Sequence, residues 1–504
     1  GQHSTAPGTA GRPFDPVSGG AVLCDMTDND PALWPTHRQA DAIRNRQLSS
    51  SELLDHYLDR VGRLNPSINA VVTLDEMRAR AAARDADAAT AAGAELGPLH
   101  GIPHTIKDAI ETAGIRSTGG AVELTDHVPA ADAPVVARLK AAGSILFGKT
   151  NLPRWSGDGQ SYNELFGVTN NPWDLTRTPG GSSGGAAAAV AAGLTSFEIG
   201  TDIGGSVRMP SAFSGVWGHK PSFGLIPTLG YLDSVGGGRF EADVNVFGPL
   251  ARSVDDLELL VDLLAGPTPD RAPAWRVEIP PARHQTLADY RVGVWLDDPA
   301  CPVDGEVLAV LDGAVRALEA AGVAVDRSAR PDVDFTEASK LGAQLISVAA
   351  GVSMSLDDAA ALADKSRGAA NNVQRHHTWL ARHHRRTELR EAWASWFRSY
   401  DILLCPVSVT PAFPHQTGGN WLDRSLTVNG EARPYTDLIK WTAMVGMAYL
   451  PVTTPPLGLT AGGLPVSVQV VAPFCEDRTA IHFARLLADV AGGGYQVPLG
   501  CGPA

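Results

Sequence analysis

Hydrophobic positions change their spacing several times along this chain. Over 48–64 Leu54, Tyr57, Leu58 and Val61 recur every three or four residues, and Ser49 to Ser51 offer capping oxygens, so the segment predicts a helix. The Ala- and Arg-rich stretch 75–93 predicts another. From about 99 to 260 short apolar runs, such as Ser144 to Phe147 and Ser196 to Ile199, alternate with Gly-rich turns and Ala-rich helical stretches. That alternation predicts strands and helices in one layered α/β core. Residues 266–285, rich in Pro and charge, read as a surface crossing. Strand texture returns at 291–296, 401–407 and 464–471, a helix is expected at 305–321, and 336–400 reads as mainly helical. The expected organisation is a flexible tail over 1–30 and a single domain over 31–504. Its core would lie at about 99–260 and 400–490, with a helical insertion at about 336–400.

Charge narrows the function classes. The formal net charge of −14 argues against nucleic acid or an anionic membrane held by bulk electrostatics. No apolar run approaches the roughly 18–20 residues of a membrane span. The cysteines Cys24, Cys301, Cys405, Cys475 and Cys501 are scattered and lack Cys-x-x-Cys spacing, which points away from a disulfide framework or a zinc site and towards a reducing, cytoplasmic setting. No metal or cofactor is expected, and the expected assembly is a monomer or homodimer.

The most unusual stretch is Thr178-Pro179-Gly180-Gly181-Ser182-Ser183-Gly184-Gly185, which runs into Ala186 to Gly193. Gly pairs around two serines permit uncommon backbone angles just before a helix of small residues. A helix of about ten residues climbs roughly 15 Å, and a strand over Ser196 to Gly200 can return over a similar distance. The turn Thr201-Asp202-Ile203-Gly204-Gly205-Ser206 then lies beside the helix start, bringing Ser206 to Ser182. Gly204 and Gly205 also supply backbone N–H groups unshielded by side chains, as an oxyanion site requires. Such a serine needs a base. Lys107 ends the apolar run Ile102-Pro103-His104-Thr105-Ile106. An unshifted lysine, near about 10.4, is neutral only about one time in a thousand at pH 7.4, so a working base needs burial to lower it by roughly two to three units.

Three other patterns compete. Gly143-Ser144-Ile145-Leu146-Phe147-Gly148-Lys149-Thr150 matches the phosphate-loop pattern, but its middle residues read as the strand and Pro153 follows too closely for a helix. Gly181-Ser182-Ser183-Gly184-Gly185 matches a nucleophile elbow with Ser183 as nucleophile, as in an α/β-hydrolase-like esterase, although turn residues rather than a strand precede it. His376, His377, His383 and His384 resemble a metal cluster, yet the arginines around them favour a solvated basic helix face.

The motifs resemble the amidase signature family. The match runs through Gly-Ile-Pro-His-Thr-Ile-Lys-Asp (101–108), Phe-Gly-Lys-Thr-Asn-Leu (147–152), Thr-Asn-Asn-Pro-Trp-Asp (169–174), the Gly-Gly-Ser-Ser-Gly-Gly stretch, Gly-Thr-Asp-Ile-Gly-Gly-Ser-Val-Arg-Met-Pro-Ser-Ala-Phe (200–213) and Gly-His-Lys-Pro (218–221). It is dense over about 100–255. It departs from the family at Ala186, His104, His219 and Ser467. The resemblance implies a mixed central β-sheet flanked by helices on both faces. It also implies a Ser–cisSer–Lys triad: Ser206 as nucleophile, Ser182 on a cis peptide as proton relay, and neutral Lys107 as base. Ile203, Gly204, Gly205 and Ser206 would supply oxyanion N–H groups, with Ser183, Asp202 and Arg208 in support. The implied activity is hydrolysis of an amide, anilide or carbamate, with esterase side activity. A partner-dependent amidotransferase subunit is the alternative. Trp155, Gly237, Trp441 and Met444 are the candidates for an apolar substrate pocket.

Overall fold

In the computed structural model, which describes residues 30–354, 357, 373–420 and 423–502, a polar cap sets one of the early helices. Ser49 Oγ accepts from the Glu52 amide at 3.0 Å, and the Glu52 carboxylate accepts from the Ser49 amide at 2.8 Å. This reciprocal box starts the helix Ser50–Ile68, which stops where Asn69 turns left-handed at φ 56°. The helix Glu76–Ala92 follows and ends at Gly93.

Strands appear in chain order as β1 (Val71–Leu74), β2 (Pro103–Lys107), β3 (Ile145–Thr150), β4 (Tyr162–Asn163), β5 (Gly167–Val168), β6 (Glu198–Asp202), β7 (Trp217–Lys220) and β8 (Val246–Ala251). They continue as β9 (Arg291–Val294), β10 (Ala324–Asp326), β11 (Ile402–Pro406), β12 (Ser425–Val428), β13 (Glu431–Pro434), β14 (Val452–Thr454), β15 (Pro456–Leu459) and β16 (Pro465–Val471). The central sheet runs β10-β9-β11-β16-β14-β7-β8-β6, with β15 paired to β16. It is mixed: β9 is parallel to β10 and β11, and the other pairings are antiparallel. Strands β6, β7, β8, β11 and β16 are buried along their whole lengths, as sheets covered on both faces require. A second sheet, β1-β3-β2, places β2 parallel to β3.

The observed architecture is the expected one, a mixed central sheet with helices packed around it. Within 336–400 the helices Phe335–Ala350 and His376–Trp396 are present, and the residues between 354 and 373, apart from 357, lie outside the described residues, as does the tail over 1–29. No helix among the described residues is long and apolar enough to cross a membrane.

Candidate active site

Three segments meet at one point. Strand β2 delivers Lys107, completely buried, at its C-terminal end. The Gly-rich crossing delivers Ser182 on a cis Gly181–Ser182 peptide. A Cβ on Gly181 would lie 2.4 Å from the Gln160 amide nitrogen, so no larger residue fits there. The helix Gly184–Ala191 that follows is buried on every face, and a Cβ on Gly185 would stand 2.4 Å from Asn151 backbone atoms. Small residues thus let this helix lie within the core, and β6 returns beside it to the third segment. The Ser183 amide donates to the Ser206 carbonyl at 3.1 Å, joining the two serine-bearing turns directly.

Lys107 Nζ lies 2.6 Å from Ser182 Oγ and 2.7 Å from Thr201 Oγ1. Burial pushes its ammonium well below the ordinary lysine value, and the carboxylates of Asp202 and Glu198 oppose that shift without cancelling it. Burial thus favours the neutral amine beside Ser182.

Asp202 organises the turn that carries Ser206. Its carboxylate accepts from the amides of Gly205 (2.8 Å), Val207 (3.1 Å) and Arg208 (3.3 Å), and from Arg208 Nε (3.0 Å) and a terminal guanidinium nitrogen (2.8 Å). Burial would raise this carboxyl, but Arg208 and the amides hold it at about 2. Arg208 in turn donates to the Thr442 carbonyl at 2.9 Å and to Gln469 Oε1 at 2.8 Å. Thr442 Oγ1 donates to the Gly204 carbonyl at 2.6 Å and clamps the turn from its other side. Gly205 has φ +122°, and a Cβ there would stand 2.8 Å from Thr442 Oγ1.

One expectation needs correction. The Gly205 N–H points at Asp202 and is engaged there, so it is not free for an oxyanion. Among the described residues the amides of Ile203, Gly204 and Ser206 meet no acceptor, leaving three candidate donors rather than four.

Ser206 opens onto a cavity of about 140 Å³. Its apolar wall is formed by Trp155, Ile203, Met209, Ile346, Leu438 and Ile439, while Tyr231, Asp158 and Asp233 add polar groups. Of the predicted pocket residues only Trp155 lines it. Trp441 and Met444 are core residues with no exposure. Trp441 packs on Phe335 with ring centroids 4.6 Å apart and donates to the Cys301 carbonyl at 3.3 Å. Their helix, Lys440–Gly446, reaches the site through Thr442 instead. Gly237 stands behind the wall, where a Cβ would meet Asp233 Oδ1 at 2.4 Å. Sequence reasoning did not single out Thr442, Met209, Tyr231, Asp233 or Ile346; Met209 lies inside the 200–213 motif but carries no reactive group there, and the other four lie outside the quoted motifs.

The competing patterns also resolve. Ser183 is completely buried, and its Oγ donates to the Thr201 carbonyl and accepts from the Thr201 amide, each at 3.2 Å. It is held by β6 rather than exposed at an elbow, which overturns the reading of Ser183 as nucleophile. Residues 145–150 of the phosphate-loop match are strand β3, and Lys149 Nζ is buried among the Ile110 carbonyl, Thr112 and Ser117. His376, Trp379 and His383 stack along their helix, with ring centroids 6.1 and 5.1 Å apart, and no metal-holding group of three ligands occurs among the described residues.

Known proteins resemble the chain along most of its length. The family model described as Amidase matches residues 52–481. A glutamyl-tRNA(Gln) amidotransferase subunit of Thermosynechococcus vestitus is 32% identical over 480 residues, covering 89% of this chain and 95% of that protein. A protein from an inhibitor-bound complex that reveals the evolutionary origins of an s-triazine catabolic enzyme superposes with a TM-score of 0.79 at 27% identity, covering 92% of this chain and 100% of that one. A bacterial aryl acylamidase of the amidase signature family gives a TM-score of 0.77 at 25% identity over 91% of this chain and 97% of that one.

Proposed function

The chain belongs to the amidase signature family of enzymes acting on carbon–nitrogen bonds, and from that premise we propose that it hydrolyses an amide, anilide or carbamate of substantial apolar character through an acyl-enzyme on Ser206. One observation carries the reading: the buried Lys107 amine lies 2.6 Å from Ser182 Oγ, in the turn bonded to the one that carries Ser206 at the mouth of an apolar cavity.

In the proposed sequence, neutral Lys107 takes the hydroxyl proton of Ser182 while Ser182 takes that of Ser206. The Ser206 oxygen bonds to the carbonyl carbon, and the carbonyl oxygen, now an anion, is met by the amides of Ile203, Gly204 and Ser206. The proton returns by the same route to the leaving nitrogen as the carbon–nitrogen bond breaks. Water then adds to the acyl-enzyme, with Lys107 and Ser182 drawing off its proton and handing it to the departing Ser206 oxygen. Asp202, Arg208 and Ser183 hold the geometry without touching the reacting atoms. The same chemistry accommodates esters, whose carbonyl is less resonance-stabilised than an amide's and whose alkoxide can leave without the prior protonation that an amide nitrogen needs.

A second reading, a partner-dependent amidotransferase component, is favoured by a different observation. The curated relatives at 32–33% identity that span nearly the whole chain carry the name of a glutamyl-tRNA(Gln) amidotransferase subunit. The purified chain separates the two. Hydrolysis of an apolar anilide by the chain alone, lost in Ser206→Ala, supports the hydrolase. Inertness towards every amide until partner proteins are added, with glutamine then preferred, would replace it with the amidotransferase reading.

A further inference from the structure

The cavity at Ser206 holds two carboxylates, and they are not equivalent. Asp158 is neutralised: Arg424 donates to it at 2.6 Å, and the Tyr435 and Tyr162 hydroxyls donate to it at 2.7 and 2.9 Å. Asp233 has no such partner. It accepts from Ser234 Oγ at 3.2 Å, and no lysine, arginine or histidine among the described residues pairs with it. It is nonetheless only 8% exposed, in a wall that is mostly apolar and aromatic and whose other carboxylate, Asp158, is already paired. A carboxylate left without a counter-charge in such surroundings is costly, and a ligand that brings the charge removes the cost.

The neighbours fit that ligand. Tyr231 and Trp155 line the same cavity and present aromatic surface, the kind that attracts an organic cation. Burial lifts the Tyr231 phenol to about 12, and the Asp233 carboxylate adds to the rise. Burial also raises the Asp233 carboxyl from its ordinary value, against the lowering effect of the Ser234 hydroxyl. Gly237 leaves room behind it: a Cβ there would meet Asp233 Oδ1 at 2.4 Å, so the loop is shaped around this carboxylate.

We infer that Asp233, with Trp155 and Tyr231, forms an ammonium subsite, so that the enzyme prefers amides whose apolar body also carries a primary ammonium group. This rests on the hydrolase reading for its substrate class, but not for the binding itself. The remaining wall, Ile203, Met209, Ile346 and Leu438, takes the methylene body between that ammonium and the scissile carbonyl. Asp233 acts as a specificity residue in this scheme and has no part in the bond-breaking steps.

Two measurements test it. Calorimetric titration of the full chain with butylammonium and hexylammonium, against 1-butanol and 1-hexanol, reads the subsite without any chemistry. The expected result is at least tenfold tighter binding of the ammonium of each pair, a preference lost in Asp233→Asn. Equal binding of amine and alcohol, or an undiminished preference in Asp233→Asn, overturns the inference. The second measurement compares kcat/KM for 6-aminohexanoyl and heptanoyl p-nitroanilides. The wild-type ratio should favour the ammonium substrate and fall about tenfold in Asp233→Asn; a ratio the variant leaves unchanged counts against the subsite. Tight ammonium binding without hydrolysis of either anilide would sustain the subsite and sink the hydrolase reading, so the two failures are distinct.

Discussion

Asp202→Ala is the perturbation that the site geometry makes most consequential. The wild-type carboxylate is fully buried and accepts five hydrogen bonds, two of them from the equally buried Arg208 side chain. Removing it leaves a guanidinium in the interior without its counter-charge, which costs about 3–5 kcal/mol. The amides of Gly205 and Val207 lose their acceptor in the same step, so the upper end of that range is the better expectation. Activity should suffer separately. Gly205 stands between Gly204 and Ser206, and freeing its amide removes what fixes their direction. Misaligning a single oxyanion donor typically costs about 10²–10³-fold in kcat. Urea unfolding followed by circular dichroism measures the first effect; kcat and KM on protein shown to be folded without urea measure the second. We expect kcat to fall at least about a hundredfold with a smaller change in KM. Stability within about 1 kcal/mol of wild type, or kcat within threefold, would refute the view that this carboxylate organises the turn. The acid limb offers a check on sign. The folded-state value of about 2 lies below that of an unfolded aspartate, so the stabilisation is complete above about pH 4 and is lost as pH falls through about 2.

Thr442→Ala removes the 2.6 Å hydrogen bond to the Gly204 carbonyl, with an expected cost of about 1–3 kcal/mol and a fall in kcat, whereas Thr442→Ser retains the hydroxyl and should retain activity; equal activity of the two variants would sink this role. The pH profile of kcat/KM should fall on acidification through the depressed Lys107 value, because only the neutral amine accepts a proton, and Lys107→Met should abolish turnover at every pH; a profile flat on the acid side would contradict Lys107 as base.

Most of the frame was legible because its signals are local. Ser49 to Ser51 and the spacing of Leu54, Tyr57, Leu58 and Val61 mark the helix expected over 48–64 and found at Ser50–Ile68. Apolar runs bounded by turn residues mark β9, β11 and β16 within two residues of their observed ends. The meeting of the two serine-bearing turns was legible for a geometric reason: a short helix of small residues and a returning strand leave their outer ends side by side. What escaped is set by contacts between distant segments. The turn of the Gly205 amide to Asp202, three residues earlier, is a local exception: a side-chain to backbone contact of this kind leaves no mark in the spacing of hydrophobic positions. Trp441 and Met444 look like pocket residues by type, but Phe335 and Cys301 claim Trp441, and the helix faces the site through Thr442. Asp233 reads as an ordinary loop aspartate until the fold sets it in an apolar wall without a cation.

The central claim is that Ser206, activated through Ser182 and Lys107, is the nucleophile. Labelling the native chain with a fluorophosphonate, followed by peptide mapping, tests it most directly. The account predicts a single adduct on Ser206, strongly slowed in Lys107→Met and Ser182→Ala and retained in Ser183→Ala. An adduct on any other residue, or labelling of Ser206 at an undiminished rate without Lys107, would contradict it.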